Sequence, residues 1–435
     1  MMTFHGGVHP RERKDATERK PVEVAPLPER VFIPMSQHTG APSTPVVKKG
    51  DAVKTGTLIG GPAGRISAPT HASISGTVAE VTSMPHPLTG RPVHTVIIDS
   101  DGQDTLDPAI GERSTAGITA EQVIAAVQAA GVVGLGGAAF PTAVKLSPPK
   151  ENPIDTLLIN GCECEPFLTA DHRVMVENPA EVVEGIRFLA LALGVRNIII
   201  AIEDNKPDAI QAMTRAATGT GFSVRKLKTK YPQGAEKQLI KACLRREVPS
   251  GCLPLHVGCV VQNVGTAVAV RDAVRFNRPL FERVLTLTGN AVRDPKNLRV
   301  RIGTPVRHLI DFCGGYSGPV AKLVMGGPMM GIALSSDDAP ILKGTSGILV
   351  LGPEPELEEE SCIRCGACVR ACPMGLAPTR LISHIRARRF DTAKAEHVLD
   401  CVECGCCAWS CPAHIRLVHG FKYAKAEIAA RERRP

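Results

Sequence analysis

The sequence predicts a multidomain protein that combines α/β and α+β units. Its 435 residues exceed what one hydrophobic core usually organises, and roughly three or more modules are expected. Strand-like and helix-like stretches alternate through the middle of the chain, which indicates an α/β domain. Near the C-terminus one cysteine spacing occurs twice, so that segment forms a module of its own.

Composition and charge narrow the functional classes. Aromatic residues make up only 3% of the chain, so stacking on nucleic acid is not expected, and no nucleic-acid partner is predicted. Every apolar run is shorter than a bilayer requires, and the N-terminus lacks the apolar stretch of a secretory signal, which makes a cytoplasmic location the default. Residues 362–435 carry 13 Lys and Arg against six Asp and Glu, most of the net charge of +8. Such a region suits an acidic protein partner such as a ferredoxin, an anionic surface or nucleic acid.

Two modules are predicted before the α/β domain. Residues 1–30 are expected to form an N-terminal arm that packs on a partner, and its His5 and His9 are not interpreted as metal ligands. Residues 31–112 alternate short strands with glycine turns and resemble the lipoyl or biotinyl barrel-sandwich fold. The turn that would carry the prosthetic group reads PTHAS, without Lys, so a docking role is preferred and His71 is expected at the surface.

The α/β domain is expected over residues 113–280 and contains a glycine-rich loop, GLGGAAFPT. The loop fits the dinucleotide fingerprint G-x-G-x-x-G/A, but that fingerprint requires a preceding strand. Here the capping box Thr119–Gln122 predicts a helix that ends at Gly131. The dinucleotide interpretation therefore fails. A new helix is expected to start at Pro141, where free N–H groups and Lys145 would favour a phosphate.

Acidic side chains follow the first predicted strand of this domain. The strands are predicted at 154–160, 197–202 and 222–227, with helices between them. Glu163 and Glu165 come directly after the first strand, at the edge where open α/β sheets bind ligands.

The cysteines are the strongest signal in the chain. Two copies of C-x2-C-x2-C-x3-C-P are typical of proteins with two [4Fe-4S] clusters, in which the Cys before Pro serves the other cluster. The first cluster is therefore assigned to Cys362, Cys365, Cys368 and Cys411, and the second to Cys401, Cys404, Cys407 and Cys372. Cys406 is interpreted as a spare thiol, and the linker between the motifs is expected to form two short helices.

Four segments in order carry a family resemblance: GVVGLGGAAFPTAVKL, INGCECEP, YPQGAEKQLI and VQNVGTAVAV. They resemble the complex I flavoprotein subunit, and more closely the C subunit of the Rnf electron transport complex. The resemblance implies an FMN/NADH domain of Rossmann-like architecture, a soluble-ligand-binding β-grasp (SLBB) domain over 281–350, and a helical two-cluster ferredoxin-type domain with a basic tail over 351–435.

The resemblance also implies site residues. Those expected to contact FMN are Gly134, Gly136, Gly137, Lys145, Asn160, Glu163, Tyr231, Gln262, Asn263 and Thr266. Phe140, Glu165 and Glu236 would face NADH. Two features depart from the family. Ala139 stands where the family has a glycine, and an alanine is tolerated there if its φ is negative. Cys162 and Ala235 stand where the complex I pattern has acids.

The predicted function is that of an NADH-oxidising subunit of an ion-translocating membrane complex. Electrons would pass from NADH through FMN and two [4Fe-4S] clusters toward a ferredoxin-type subunit, with the direction set by the ion gradient. The subunit would lie peripherally on the cytoplasmic face of the bacterial inner membrane. No side chain is expected to act as a catalytic acid or nucleophile, because the cofactors carry the chemistry. Two alternatives are a microcompartment cobalamin reductase, in which the barrel-sandwich follows the clusters, and a non-catalytic electron-wire subunit. A third is a basic nucleic-acid binder with structural clusters, which would show salt-sensitive retention on DNA and no redox response.

Overall fold

The computed structural model describes residues 2–355 and 357–433. Within these ranges, no helix combines the length and the apolar character needed to cross a membrane. The chain forms an N-terminal arm and four packed units in the predicted order.

The arm packs on its own chain, where the sequence suggested a separate partner. Phe4 and Val8 are buried, while His5 and His9 are exposed. Val8 exchanges backbone hydrogen bonds with Tyr231 of the α/β domain. The arm ends in strand β1 (Val22–Val24), which joins the sheet of the third unit.

The barrel-sandwich that follows the arm consists of two small antiparallel sheets. Its strands are β2 (Arg30–Pro34), β3 (Thr44–Pro45), β4 (Ala52–Val53), β5 (Leu58–Gly61), β6 (Thr70–His71), β7 (Gly76–Pro85) and β8 (Pro92–Ser100). The sheet orders are β2-β8-β7-β4 and β3-β5-β6, and Val31, Ile59 and Ile98 meet in the core between them. His71 was expected on a surface turn, but it lies buried in β6, because this segment pairs with β5 and does not form a free hairpin tip.

The next segment of chain builds a parallel α/β sheet. Its elements are α1 (Ala120–Ala129), α2 (Thr142–Lys145), β9 (Thr156–Gly161), α3 (Ala170–Glu177), α4 (Pro179–Leu193), β10 (Asn197–Glu203), α5 (Pro207–Ala216), β11 (Ser223–Leu227), α6 (Glu236–Leu244), a 3-10 turn (Pro254–Val257), β12 (Cys259–Asn263) and α7 (Val264–Phe276). The strand order is β11-β10-β9-β12. The chain therefore reverses its winding direction between β9 and β12, and a crevice opens at the carboxyl ends of those two strands.

Local signals explain where the helices of this sheet begin. The capping box predicted at Thr119 and Gln122 forms in both directions and starts α1. Helix α2 is a single turn, and its Thr142 N–H donates to the carbonyl of Val132. The prediction that this helix start offers free N–H groups to a phosphate is therefore wrong for Thr142.

A six-stranded sheet with one helix forms the β-grasp unit. Its elements are β13 (Glu282–Thr288), β14 (Lys296–Arg301), α8 (Val306–Phe312), β15 (Lys322–Met325), β16 (Ile332–Ala333) and β17 (Gly347–Leu351). The order is β1-β14-β13-β17-β15-β16, so the arm supplies an edge strand. Residues 282–312 of this unit form two antiparallel strands followed by a short helix.

The C-terminal unit is helical and internally duplicated. Its elements are α9 (Ala367–Ala371), α10 (Pro378–Arg386), α11 (Phe390–Ala395), a 3-10 turn (Val398–Asp400), α12 (Cys406–Trp409) and α13 (Leu417–Glu432). The two cysteine loops repeat the same backbone, since Arg364 and Gly366 in one and Glu403 and Gly405 in the other all have positive φ. The two helices expected between the motifs are present as α10 and α11.

Candidate functional site

The crevice between β9 and β12 brings together segments that are far apart in sequence. Asn160 at the end of β9 is directly paired with Asn263 at the end of β12. The Asn263 side chain caps α7 by accepting from the backbone N–H groups of Gly265 and Thr266. Gly136 of the glycine loop lies against this side chain, because a Cβ added there would be 3.4 Å from Asn263 Cβ.

The glycine loop is closed at its base and open at its tip. Gly134 N donates to Phe140 O at 2.9 Å, and Leu135 N donates to Thr266 Oγ1 at 2.9 Å. The tip residues Gly136 and Gly137 are exposed, and Gly137 has a φ of +113° with nothing within 4 Å of the place a Cβ would occupy. The loop therefore presents bare backbone to the crevice.

Ala139 adopts a conformation that the sequence did not suggest. Its φ is +48°, where a negative φ was the condition for tolerating alanine in place of glycine. A left-handed conformation costs an alanine about 1–2 kcal/mol. The surrounding structure must offset that cost.

Two buried glutamines near the crevice have unpartnered amide atoms. Gln262 Nε2 and both amide atoms of Gln233 lack hydrogen-bond partners among the described residues, although both side chains are almost fully buried. Gln262 precedes Asn263 on β12. Gln233 precedes Gly234, whose carbonyl accepts from Asn160 Nδ2 at 2.8 Å. Gln233 was missed as a site residue although it lies in the motif YPQGAEKQLI; its burial was the missing information.

Lys145 and Glu236 form an ion pair at the edge of the crevice. Lys145 Nζ lies 2.9 Å from Glu236 Oε1 and 3.2 Å from Val261 O. Both side chains are partly exposed. The residue predicted to contact FMN and the one predicted to face NADH are thus neighbours.

Glu163 binds the N-terminus of α3. Its carboxylate accepts from Asp171 N at 2.8 Å and His172 N at 3.1 Å. Asp171 in turn accepts from Asn263 Nδ2 at 2.6 Å, and burial together with the charge of Glu163 raises the pKa of Asp171 to about 7. Asp171 connects the two predicted residues Glu163 and Asn263, and no sequence motif singled it out.

Glu165 points toward the β-grasp unit. Its carboxylate accepts from Met329 N at 3.0 Å and Met330 N at 2.9 Å, and burial raises its pKa to about 7. The predicted contact with NADH would have to use the remaining lone pairs of these oxygens or replace one of the two bonds.

Tyr231 contacts the cluster unit. The ring is buried, and its hydroxyl donates to Cys404 O at 2.8 Å. The segment predicted to contact a flavin therefore also contacts the second cysteine loop.

Four cysteines of the second set, Cys372, Cys401, Cys404 and Cys407, line one shared cavity. These are the four residues that the exchanged ligand pattern groups together. Cys406 does not line this cavity, and its buried Sγ lies 3.8 Å from Tyr231 O.

The first cysteine set lies at the surface. Cys362 and Cys365 are exposed, while Cys368 and Cys411 are partly buried against the helical core. In residues 2–355 and 357–433, no three His, Cys, Asp or Glu side chains converge as they would around a single metal ion.

The residues present fit the two kinds of cofactor that the sequence implies. An open glycine loop and unpartnered buried amides beside the crevice suit a planar group with several hydrogen-bonding atoms, such as FMN. Four thiols lining one cavity suit a [4Fe-4S] cluster, whose irons are held by cysteine thiolates.

Four family models match the chain in sequence order. They are the RnfC barrel sandwich hybrid domain at residues 2–103, the Nuo51 FMN-binding domain at 127–272, the SLBB domain at 284–333 and a 4Fe-4S dicluster domain at 358–415. The predicted fold class is thereby confirmed, and FMN and [4Fe-4S] clusters are the cofactors of these domains.

Similar proteins cover nearly the whole chain. The C subunit of the proton-translocating ferredoxin:NAD(+) oxidoreductase complex of Clostridium ljungdahlii is 48% identical over 98% of this chain and 94% of its own. The C subunit of the Na(+)-translocating complex of Acetobacterium woodii is 47% identical over 99% and 98%. The C subunit of the ion-translocating oxidoreductase complex of Rhodobacter capsulatus is 44% identical over 99% and 84%.

One likeness to a solved structure concerns the fold alone. The NAD+-reducing [NiFe]-hydrogenase in its H2-reduced state matches 74% of this chain and 67% of its own, with a TM-score of 0.52 and 19% identity.

Proposed function

Because the chain belongs to the C-subunit family of the ion-translocating ferredoxin:NAD(+) oxidoreductases, we propose that it is the NADH-oxidising subunit of such a complex. When bound, FMN would supply the exchange of a hydride with the nicotinamide and of single electrons with two [4Fe-4S] clusters, which would lead toward a ferredoxin. The ion gradient sets the direction. The observation that carries the proposal is the Tyr231–Cys404 hydrogen bond, because it joins a flavin-domain loop to a cysteine loop.

FMN is assigned to the crevice between β9 and β12. The tip Gly136–Gly137 would let the cofactor approach the backbone, and Gln262 would donate its free amide. Lys145 would hold the phosphate after exchanging its Glu236 partner. The other FMN residues proposed are Gly134, Asn160, Glu163, Tyr231, Asn263 and Thr266, of which Glu163 and Thr266 act by holding α3 and the glycine loop.

NADH is assigned to the open side of the same crevice. The half-buried ring of Phe140 is at the end of the glycine loop and offers a face for a nucleotide ring. Glu236 is partly exposed and can accept from ribose hydroxyls. Glu165 remains the third proposed NADH residue. Its present hydrogen bonds to Met329 and Met330 would compete with a contact to NADH.

The two cysteine sets are assigned different places in the electron path. The second set, which includes Cys404, adjoins Tyr231 and is nearer the flavin loops. The first set includes the exposed Cys362 and Cys365 and is the one a partner can approach. Electrons exchanged with a partner would therefore pass through the first set.

The partners proposed are the other subunits of the complex, including a ferredoxin-type iron-sulfur subunit. The excess of Lys and Arg in residues 362–435 suits an acidic redox partner. The subunit is proposed to lie peripherally on the cytoplasmic face of the inner membrane.

Anaerobically reconstituted protein tests the proposal directly. We expect about one FMN and about eight irons per chain, as for one flavin site and two [4Fe-4S] clusters, and bleaching of the flavin absorbance on addition of NADH. Protein that binds iron but no FMN would support the electron-wire alternative and refute NADH oxidation. Cobalamin reductase activity with bound flavin would support the other alternative, against which the N-terminal position of the barrel-sandwich argues.

A further inference from the structure

Thr39 of the barrel-sandwich holds both peptide planes next to Ala139. Its hydroxyl donates to Ala138 O at 2.9 Å, and its backbone N–H donates to Ala139 O at 3.2 Å. Rotation about φ of Ala139 turns the Ala138 carbonyl, and rotation about ψ of Ala139 turns the Ala139 carbonyl. A single residue from another domain therefore fixes the two angles of the one strained alanine in the glycine loop.

The left-handed conformation of Ala139 needs such support. At a φ of +48° an alanine is disfavoured about 5- to 30-fold relative to its ordinary conformations. Relaxation of Ala139 would turn both carbonyls and redirect the tip Gly136–Gly137. The shape of the face that is open to the crevice thus depends on contacts outside the α/β domain.

The segment before β17 supports the loop from another direction. A Cβ added at Gly344 would lie 3.2 Å from Ala139 Cβ and 3.4 Å from Gly137 O, so a side chain at this position would crowd the glycine loop. The adjacent Lys343 is buried, and its Nζ donates to Pro69 O and Gly131 O, each at 2.8 Å. Lys343 thereby fastens the barrel-sandwich and the end of α1 to the same segment.

We propose that Thr39 is a positioning residue for the flavin site, and that with Gly344 it forms a clamp, supplied by two other domains, which holds the glycine loop in its cofactor-binding shape. The inference rests on the proposed assignment of FMN to this loop. It gives the barrel-sandwich, which lacks a carrier lysine at its PTHAS segment, a specific task in the enzyme.

The test replaces Thr39 by Val, which removes the hydroxyl and retains the backbone N–H. Loss of one hydrogen bond predicts an FMN dissociation constant about 2- to 10-fold higher in T39V. Hydrogen exchange at the amides of Gly134 and Leu135 should accelerate by a similar factor, with unchanged iron content. Thr89→Val is the matched control, because Thr89 is an exposed threonine of the same domain in the turn after β7.

A second substitution separates clamping from a general structural effect. Ala139→Gly removes the cost of the left-handed conformation. In the A139G background, T39V should therefore raise the logarithm of the FMN dissociation constant by less than half of what it does in the wild-type background. An undiminished effect, or equal FMN affinity and exchange in wild type and T39V, would overturn the clamp. Wild-type protein that binds no FMN would refute the proposed function instead, and the exchange rates of the two proteins would still decide the clamp.

Discussion

The contact between Tyr231 and Cys404 separates two roles that one tyrosine could have. The family resemblance assigns Tyr231 to FMN, whereas its hydroxyl donates to a backbone carbonyl of the second cysteine loop at 2.8 Å. Tyr231→Phe keeps the ring and deletes only that hydroxyl. The substitution therefore tests which role the hydroxyl has.

The expected magnitude follows from burial. Tyr231 is 2% exposed and Cys404 is 7% exposed, so the deletion leaves a buried carbonyl without this donor. Such a loss costs about 1–3 kcal/mol, or a factor of about 5 to 150 in the equilibrium for local separation of the two loops. We expect faster hydrogen exchange in residues 401–411 and slower reduction of the clusters by NADH, with FMN affinity within about twofold of wild type.

The control is Tyr423→Phe, since that side chain is 47% exposed on α13 and should change stability by less than about 0.5 kcal/mol. A rise of tenfold or more in the FMN dissociation constant of Y231F, with unchanged exchange in 401–411, would refute the reasoning. The hydroxyl would then be a flavin ligand.

Three further predictions test the site. Gly136→Glu adds a charged side chain at a position where even a Cβ would lie only 3.4 Å from Asn263. FMN binding should therefore be lost while iron content is retained, and a variant that still binds FMN would contradict the assignment. Cys406→Ser should keep its iron, whereas Cys404→Ser should lose about half of it, as measured by iron analysis; equal losses would contradict the ligand set. The pKa of Glu165 rises from 4.5 to about 7 on folding, so the stabilisation from its protonated form is complete below pH 4.5 and is lost as the pH rises through 7. In urea unfolding between pH 4.5 and 8, the free energy of unfolding of the wild type should fall by up to about 3 kcal/mol relative to that of Glu165→Gln. Parallel pH profiles of the two proteins would count against the burial of this carboxyl.

Local signals in the sequence predicted the elements well, and long-range contacts explain what it missed. The capping box at Thr119 and the apolar runs that became β9 and β10 depend on neighbouring residues, so pattern and propensity were sufficient. The burial of His71 depends on pairing with β5, and the ties of Glu165 reach residues more than 160 positions away. The residues that neighbour His71 and Glu165 in the sequence do not indicate either contact.

The strained Ala139 illustrates the same limit at the site itself. Sequence comparison with the family identified it as a departure, but not the conformation that makes the departure costly. The contact that holds this φ comes from Thr39, which lies a hundred positions earlier in the chain. Substitutions at Ala139 and Thr39 should therefore be interpreted as a pair.

The two cysteine motifs are nearly equivalent in sequence and unequal in surroundings. Both loops share positive φ at the same two positions, yet one lies against Tyr231 while the other exposes Cys362 and Cys365. The arm adds to this asymmetry, because Gly7 N donates to Ala371 O, and a Cβ at Gly6 would lie 2.6 Å from Cys372 O. The arm thus covers the cysteine that the first motif contributes to the second set. On the proposed electron path, this cover would shield the Cys372 side of a cluster held by the second set, and the first set would be the point of exchange with a partner.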